Sequence, residues 1–489
     1  MLFAKHCRRI EILIKKPKVS SAWSILWLAL LSVVLGLALL EPTAGLRLAF
    51  AVILLCLTLW AVLVARLEYA AAAAVICIPV HEQLTLSLGL SEHIIPGLNV
   101  GFIWTGLMLV VFLARYRSDP LDFRERKLLS IYGVLVLCLS LAIYRGTDMG
   151  RGDWLGILSG SARFLCVALW MRHAARVLPW THSRWACTAL GIGPIIVGCS
   201  MFANTFRVVT AFSEREFEKA RVTGLDDPNY AAIPAVMALL FLCGSDVLDG
   251  KRMKPGLLLL PVAFIVPLLS GSRTGFFAVI VGSVVLLYGR HNTLLLSGAL
   301  ALGGAFSALK GYVPVLYDRF TQLETGSGAA AGSGLLESRS EAYGNAWTAF
   351  LQHPLFGSGR ATYMYNSTDF VGAHNSLLGY LAEGGILYGV AFIILIWYLL
   401  SLTSVCNRRW PVAGRAGMAI VAAYFVGSCG VFFNCIDDSS VLLGGYTAYL
   451  LGGLRRSCVP AMRSAPRIHS APLRTKAAAD GERRKSDAC

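Results

Sequence analysis

The stretch NSLLGYLAEGGILYGVAFIILIWYLL (375–400) decides the fold class of this chain. A helix of about 20 predominantly apolar residues is long enough to cross the hydrocarbon core of a bilayer. We therefore predict a membrane-spanning helix here. His374 and Asn375 stand at its start, directly after a long polar loop.

Apolar stretches of similar length recur on both sides of this one, and charged residues fall between them. They predict further spans at 22–40, 44–64, 70–90, 97–114, 128–144, 156–171, 186–206, 230–247, 256–270, 274–289, 293–311, 416–434 and 440–454. Because neighbouring stretches can merge or re-enter, we expect 12–14 spans in total.

The composition agrees with this pattern. Of 489 residues, 56% are hydrophobic and 15% are charged, and the mean hydropathy is +0.63. These values exclude a disordered chain and disfavour an ordinary soluble domain. The predicted fold class is an all-α polytopic integral membrane protein of 12–14 transmembrane helices with one long periplasmic loop. The 13 cysteines show neither a disulfide framework nor the spacing of a zinc site.

The charges predict an orientation. Most of the 44 Lys and Arg residues fall on one set of connections if both termini are cytoplasmic, which fits the positive-inside rule. The net charge of +16 then reports topology and attraction to anionic membrane lipids, and it requires no nucleic-acid partner.

The same assignment predicts six segments along the chain. In order they are a basic cytoplasmic N-terminus (1–21), N-terminal transmembrane helices (22–206), a periplasmic loop with further transmembrane helices (207–311), a long periplasmic loop (312–374), C-terminal transmembrane helices (375–454) and a basic, disordered cytoplasmic tail (455–489).

The outer connections carry several arginines, although translocating cations opposes the positive-inside bias. These are Arg207, Arg215, Arg221, Arg273, Arg319, Arg339 and Arg360. The planar guanidinium fork suits phosphate oxygens, so the set indicates an anionic ligand. The alternative is that each pairs with a nearby acidic residue or a lipid headgroup. Arg273 stands out because it interrupts apolar sequence without an acidic neighbour.

His374 has two interpretations. A histidine at the start of a helix can cap it, or it can act as a general base. The helix macrodipole disfavours a charged imidazole there, which favours the neutral form that a base requires. Helical spacing would place His374, Leu378 and Leu381 on one face. We also expect Gly384, Gly385 and Gly389 to let neighbouring helices approach closely.

Four segments of the sequence together form a recognisable pattern: RVTGLDDPNYAA (221–232), SGSRTGFFA (270–278), RSEAYGNAWTAFLQHPLFGSGRATY (339–363) and AHNSLLGYLAEGGILYGVAF (373–392). They resemble the O-antigen ligase family, which is related to O-antigen polymerases and protein O-oligosaccharyltransferases. Their order agrees with the family over roughly residues 200–400, whereas the first 200 residues agree in hydropathy only. Four motifs in sequence are more specific than any one of them.

The resemblance implies a glycosyltransferase C-like enzyme on the periplasmic face of the bacterial inner membrane. It would move a glycan from undecaprenyl diphosphate to a sugar hydroxyl of lipid A–core oligosaccharide, with inversion and without a metal or other cofactor. His374 is the implied catalytic residue. Arg221, Arg273, Arg339 and Arg319 are the implied diphosphate ligands, and Asn375 and Arg360 are supporting residues.

Alternatives to this function remain. An O-antigen polymerase or a protein O-oligosaccharyltransferase would use the same donor. A lipid-linked glycan transporter would show charges near mid-span and a repeat relating its halves, and such charges are few here, Arg163 being the exception. A catalytic Mg²⁺ would need outer carboxylates, for which Asp226, Asp227, Asp437 and Asp438 are the candidates.

Overall fold

The computed structural model describes residues 121–146, 151–177, 180–199, 228–247, 259–289, 291–312, 317, 334–366 and 373–458. Every regular element in these ranges is helical, so the predicted all-α fold class is confirmed. The four spans predicted before residue 121 lie outside the described residues, as do Arg221 and Arg319.

The helices follow the apolar stretches of the sequence closely. They are α1 (Phe123–Arg145), α2 (Arg151–Val177), α3 (Trp180–Cys199), α4 (Pro228–Val247), α5 (Leu259–Leu269), α6 (Arg273–Leu287), α7 (Asn292–Tyr312), α8 (Gly334–Gln352), α9 (Ser376–Arg409), α10 (Pro411–Gly430) and α11 (Asp438–Cys458). A 3₁₀ turn, η1 (Thr362–Asn366), lies between α8 and α9.

Three of the described helices, α1, α9 and α10, are long and apolar enough to cross a membrane. Shorter apolar stretches occupy α3 to α7. The protein is therefore an integral membrane protein. The predicted span 416–434 is wrong at its end, because α10 stops at Gly430 and residues 431–437 form a non-helical connection to α11.

Helix α4 forms the centre of the bundle. Residues 231–241 are buried on every side, and α4 packs against α3, α5, α6, α10 and α11. A helix that is apolar all round belongs in the interior of a bundle, whereas an amphipathic helix belongs at its surface. Extensive packing away from α4 joins α2 to α11, α6 to α10 and α9 to α10.

Helix α9 divides into two parts with different surroundings. No residue from Ser376 to Gly385 is exposed, because α8 and the residues after α10 cover this part. From Ile386 onward an apolar face is exposed, ending near Leu400 and including Val390, Ile393 and Trp397. This face fits contact with lipid hydrocarbon.

A network of buried ion pairs lies at the end of the bundle away from the start of α9. The Glu125 carboxylate accepts hydrogen bonds from Arg172 Nε, at 2.8 Å, and from the Arg176 guanidinium. Its other oxygen accepts from the Asp122 amide at 2.8 Å, at the start of α1. Buried charges need such partners, so this network fixes α1 against α2 far from the start of α9.

Candidate functional site

The start of α9 is capped by Asn375. Its side-chain oxygen accepts a hydrogen bond from the Leu378 amide at 3.0 Å, and its own backbone is extended. This satisfies one of the amides that the first turn of a helix leaves without a partner. Capping is thus performed by Asn375, for which the sequence offered no specific role.

His374 lies outside the helix, one residue before the cap. Its φ of 45° is in the left-handed region, which side chains other than glycine adopt rarely. The prediction that His374, Leu378 and Leu381 share a helical face is therefore wrong, because α9 begins only at Ser376. The imidazole is half-buried at the mouth of the helix.

Fixed neighbours hold His374 on both sides. The Ala373 amide donates to the Tyr363 hydroxyl at 3.1 Å. Ser376 Oγ donates to the Val431 carbonyl at 3.0 Å and accepts from the Phe433 amide at 2.9 Å. Burial raises the pKa of Tyr363, so its hydroxyl stays protonated. These contacts fix the backbone from which the imidazole projects.

Arg273 is the first residue of α6. The helix is capped by Ser272, whose Oγ accepts from the Gly275 amide at 3.1 Å and donates to Asn229 Oδ1 at 2.8 Å. Asn229 belongs to the first turn of α4. Two of the motif segments, 221–232 and 270–278, therefore meet through one side-chain hydrogen bond.

Residues 431–437, which connect α10 to α11, join these parts to α9. The Tyr230 hydroxyl, in the first turn of α4, donates to the Phe432 carbonyl at 2.9 Å. Val431 and Phe433 hold Ser376 as described above. The sequence drew attention only to Asp437 in this connection, as a candidate metal ligand, and not to its backbone groups, which bind two motif segments at once.

The starts of four helices therefore lie at one end of the bundle, which we call the site end. They belong to α4, α6, α9 and α11. The connection 431–437 is hydrogen-bonded to the starts of α4 and α9 and leads directly into α11. The start of α6 is joined to α4 by the hydrogen bond between Ser272 and Asn229. Each helix start carries a partial positive charge, whereas α10, which ends at Gly430, brings a partial negative charge to the same end. Arg273 adds a full charge, so the site end is suited to an anion such as a phosphate group.

The long motif segment 339–363 reaches the same end through a break in α9. Gly385 has φ 71° and ψ −164°, so the helical hydrogen bonds stop there. Residues 353–361, which we call the docking turn, supply replacements. The Ser358 and Gly359 amides donate to the Ala382 and Glu383 carbonyls at 2.8 and 3.1 Å, and the Ile386 amide donates to the Pro354 carbonyl at 2.8 Å.

Glu383 adds a buried carboxylate to this junction. Its Oε1 accepts from the Ala361 amide at 3.0 Å, while Oε2 has no hydrogen-bond partner among the described residues. The Arg360 guanidinium is close enough to interact with it electrostatically. Sequence reasoning did not select Glu383, although a single charge inside an apolar span is itself a signal of function.

The remaining predicted residues are distributed as follows. The Arg360 amide donates to the Ala142 carbonyl of α1 at 2.8 Å, and its side chain is half-buried. Arg339 lies on α8, before the part of that helix whose side chains are described. The structure thus brings Arg273, Arg360, His374 and Asn375 to connected segments.

The carboxylates considered for a metal have protein partners. Asp437 Oδ2 accepts from the Asn434 amide at 2.7 Å, and Asp438 forms an ion pair with Arg163 at 3.2 Å. In the described ranges there is no group of three or more His, Cys, Asp or Glu residues arranged to hold a metal ion. Asp226 and Asp227 lie outside those ranges.

The fold and site together define a helical membrane protein with cationic and histidine side chains at one end of its bundle. A comparison with protein families matches residues 257–393 to O-antigen ligase. The match runs from just before α5 to the middle of α9 and confirms the resemblance over those residues. This family carries out glycosyl transfer of the ligase or polymerase type. No curated protein matches the chain.

We predict that the stability of the protein depends on glycine at position 385, where α9 is broken. An alanine there would need a backbone conformation reserved for glycine, and its Cβ would lie 2.4 Å from the Leu355 carbonyl carbon. We expect Gly385→Ala to cost about 2–4 kcal/mol in unfolding free energy. Thermal unfolding of the detergent-purified protein would measure the loss.

Gly344→Ala is the matched control, because Gly344 lies on the exposed face of α8 and a Cβ added there would meet no atom within 4 Å. That change should leave stability equal or raise it by about 0.5–1 kcal/mol. Equal unfolding temperatures for Gly385→Ala and the wild type would contradict the docking described here.

Proposed function

We propose that the protein is an O-antigen ligase that transfers O-antigen polysaccharide from undecaprenyl diphosphate to a sugar hydroxyl of lipid A–core oligosaccharide. One observation carries the proposal: within the residues that match the O-antigen ligase family, the start of α6 with Arg273 and the start of α9 with His374 lie at the same end of the bundle. A cation and a neutral base are the two groups that this transfer needs.

Arg273 stabilises the leaving group in this proposal. When the anomeric carbon is attacked, negative charge grows on the diphosphate, and a preorganised guanidinium at a helix start offsets it. Arg221, Arg339, Arg319 and Arg360 are proposed to extend this cationic surface. Diphosphate leaves without a proton when its charge is met in this way, so no general acid and no metal ion takes part.

His374 is the proposed general base. As the acceptor hydroxyl attacks, its proton passes to the imidazole, and the bond between the anomeric carbon and the diphosphate oxygen breaks. A single displacement of this kind inverts the anomeric centre. Asn375 supports the reaction indirectly, because its cap holds the residue before it at the mouth of α9.

The site end is proposed to face the periplasm of a bacterial inner membrane, because the positive-inside rule puts both termini in the cytoplasm. Ser340 is exposed on α8 and tests this orientation. With the native cysteines replaced, Ser340→Cys should react with a membrane-impermeant thiol reagent in intact spheroplasts. Labelling that requires lysis of the cells would reverse the orientation.

The test of the function is the lipopolysaccharide of a strain that lacks this gene. Loss of a ligase leaves core without an O-antigen ladder while lipid-linked polymer accumulates. Complementation with the wild type should restore the ladder, and His374→Ala should not. Core that carries a single repeat unit would instead identify a polymerase.

The rate of the purified enzyme separates the role of His374 from its structural effect. Removal of a general base typically lowers the rate by about 10²–10⁴-fold, while donor binding should persist. His291→Ala, at the opposite end of the bundle, is the control and should retain the wild-type rate. Joint loss of donor binding and transfer would recast His374 as a phosphate ligand.

Arg273 has a different expected signature. Arg273→Ala should lower the transfer rate by about 10²–10³-fold, as loss of one transition-state donor does elsewhere. Arg273→Lys keeps the charge but loses the guanidinium fork, so its transfer rate should lie between those of the wild type and Arg273→Ala. Arg408→Ala, exposed at the far end of α9, serves as control. A folded Arg273→Ala enzyme of normal rate would remove Arg273 from the site.

A further inference from the structure

An apolar ridge runs along the end of α8 and the docking turn. It consists of Trp347, Leu351, Leu355 and Phe356, whose exposed fractions are 48%, 59%, 62% and 43%. Trp347 and Leu351 are one helical turn apart, and Leu355 continues the same spacing just beyond the end of α8. Four large apolar side chains exposed side by side mark a surface that binds something apolar.

The rest of α8 has a different character. Its inner face is made of Ala342, Ala346 and Ala349, which are buried, and the last two pack in one cluster with Ala373 and Ala382. Its exposed residues nearer the start, Ser340 and Glu341, are polar. Towards the docking turn the exposed side of α8 carries large apolar side chains, with the polar Thr348 and Gln352 beside them.

That apolar end meets α9 where its lipid-facing surface begins. The Pro354 carbonyl accepts the Ile386 amide at 2.8 Å, and Leu355 lies against Gly385. Ile386 and Leu387 are the first exposed apolar residues of α9. From Ile386 to Val405 the helix is long enough to cross the hydrocarbon layer, about 30 Å at 1.5 Å per residue.

We propose that the ridge lies in the interfacial layer of the membrane leaflet at the site end and is covered by lipid. It continues the lipid-facing surface of α9 outward, and tryptophan is the side chain that favours the boundary between hydrocarbon and headgroups. Ser340 and Glu341, on the exposed side of α8, lie in water in this arrangement. The assignment is independent of the proposed reaction and fixes the height of the site above the bilayer.

The backbone of the docking turn suits this position. Irregular backbone at membrane depth needs hydrogen bonds from the protein, since lipid offers none. The Gly357 amide donates to the His353 carbonyl at 2.8 Å, and the amides of Ser358, Gly359 and Arg360 donate to carbonyls of α9 and α1. Pro354 has no amide hydrogen to satisfy.

Fluorescence quenching in bilayers tests the proposal. The emission of Trp347, obtained as the difference between the wild type and Trp347→Phe in nanodiscs, should fall with lipids brominated near the headgroup. Trp397, 72% exposed and farther along α9, provides the depth reference through Trp397→Phe. It should respond more to bromines deeper in the acyl chain, and both should resist aqueous iodide.

Two added fluorophores examine the ridge itself. Leu355→Trp should give extra emission that brominated lipid quenches several-fold more than iodide does. Ser340→Trp, at an exposed polar position on α8, should show the reverse preference. Iodide quenching of both variants would overturn the proposal by placing the ridge in water. Emission from Leu355→Trp that neither quencher reaches would overturn it too, because protein and not lipid would then cover the ridge.

Discussion

The hydrogen bonds across the break at Gly385 are the constraint on which the site end depends. A helix broken near a bilayer leaves carbonyls and amides without partners, and each costs free energy unless the protein supplies one. The docking turn supplies them, with Ser358 and Gly359 donating to α9 and Pro354 accepting from it. Only glycine permits the backbone at Gly385, and only glycine leaves room for Leu355 there. One break thus attaches the segment after α8 to the helix whose start carries His374.

Single polar side chains also connect the helix starts to neighbouring segments. Ser272 caps α6 and also bonds Asn229 of α4, while Ser376 opens α9 and also bonds the connection 431–437. Ser272 therefore satisfies a first-turn amide and joins two helices at once, whereas Ser376 joins α9 to the connection while Asn375 provides the cap. The starts of α6 and α9 each carry a partial positive charge, whereas α10 ends at Gly430, against Thr274 of α6, and carries a partial negative charge there. Arg273 adds a full positive charge at the start of α6.

The sequence predicted the parts that depend on local pattern. The apolar stretches predicted α4 to α7 to within three residues, whereas other boundaries differ by up to nine, as at the end of α9, where the span 375–400 covers only the part of the helix before residue 401. Three features depended on distant contacts and escaped prediction. The helix break needs the docking turn to exist, His374 takes its left-handed backbone between anchored neighbours, and residues 431–437 look apolar enough to extend a span.

Gly385 was expected to let a neighbouring helix approach closely, whereas it lets the docking turn approach. The partner of Arg163, too, is a carboxylate 275 residues away.

The height of the site above the hydrocarbon follows from α9 itself. Ser376 precedes Ile386, where the lipid-facing surface begins, by a length of about 15 Å along the helix. The headgroup layer adds about 5–8 Å to each side of the hydrocarbon core. A diphosphate anchored by a polyprenyl chain belongs in that layer, and a sugar linked to it belongs just above. With the proposed donor, His374 at the mouth of α9 would lie at the level of the sugar, while the ridge, at the level of Ile386, would lie at the boundary between the hydrocarbon and the headgroups. The proposed base and the proposed membrane contact are thus about 15 Å apart along α9. This is about the distance expected between the reacting anomeric carbon and the hydrocarbon layer.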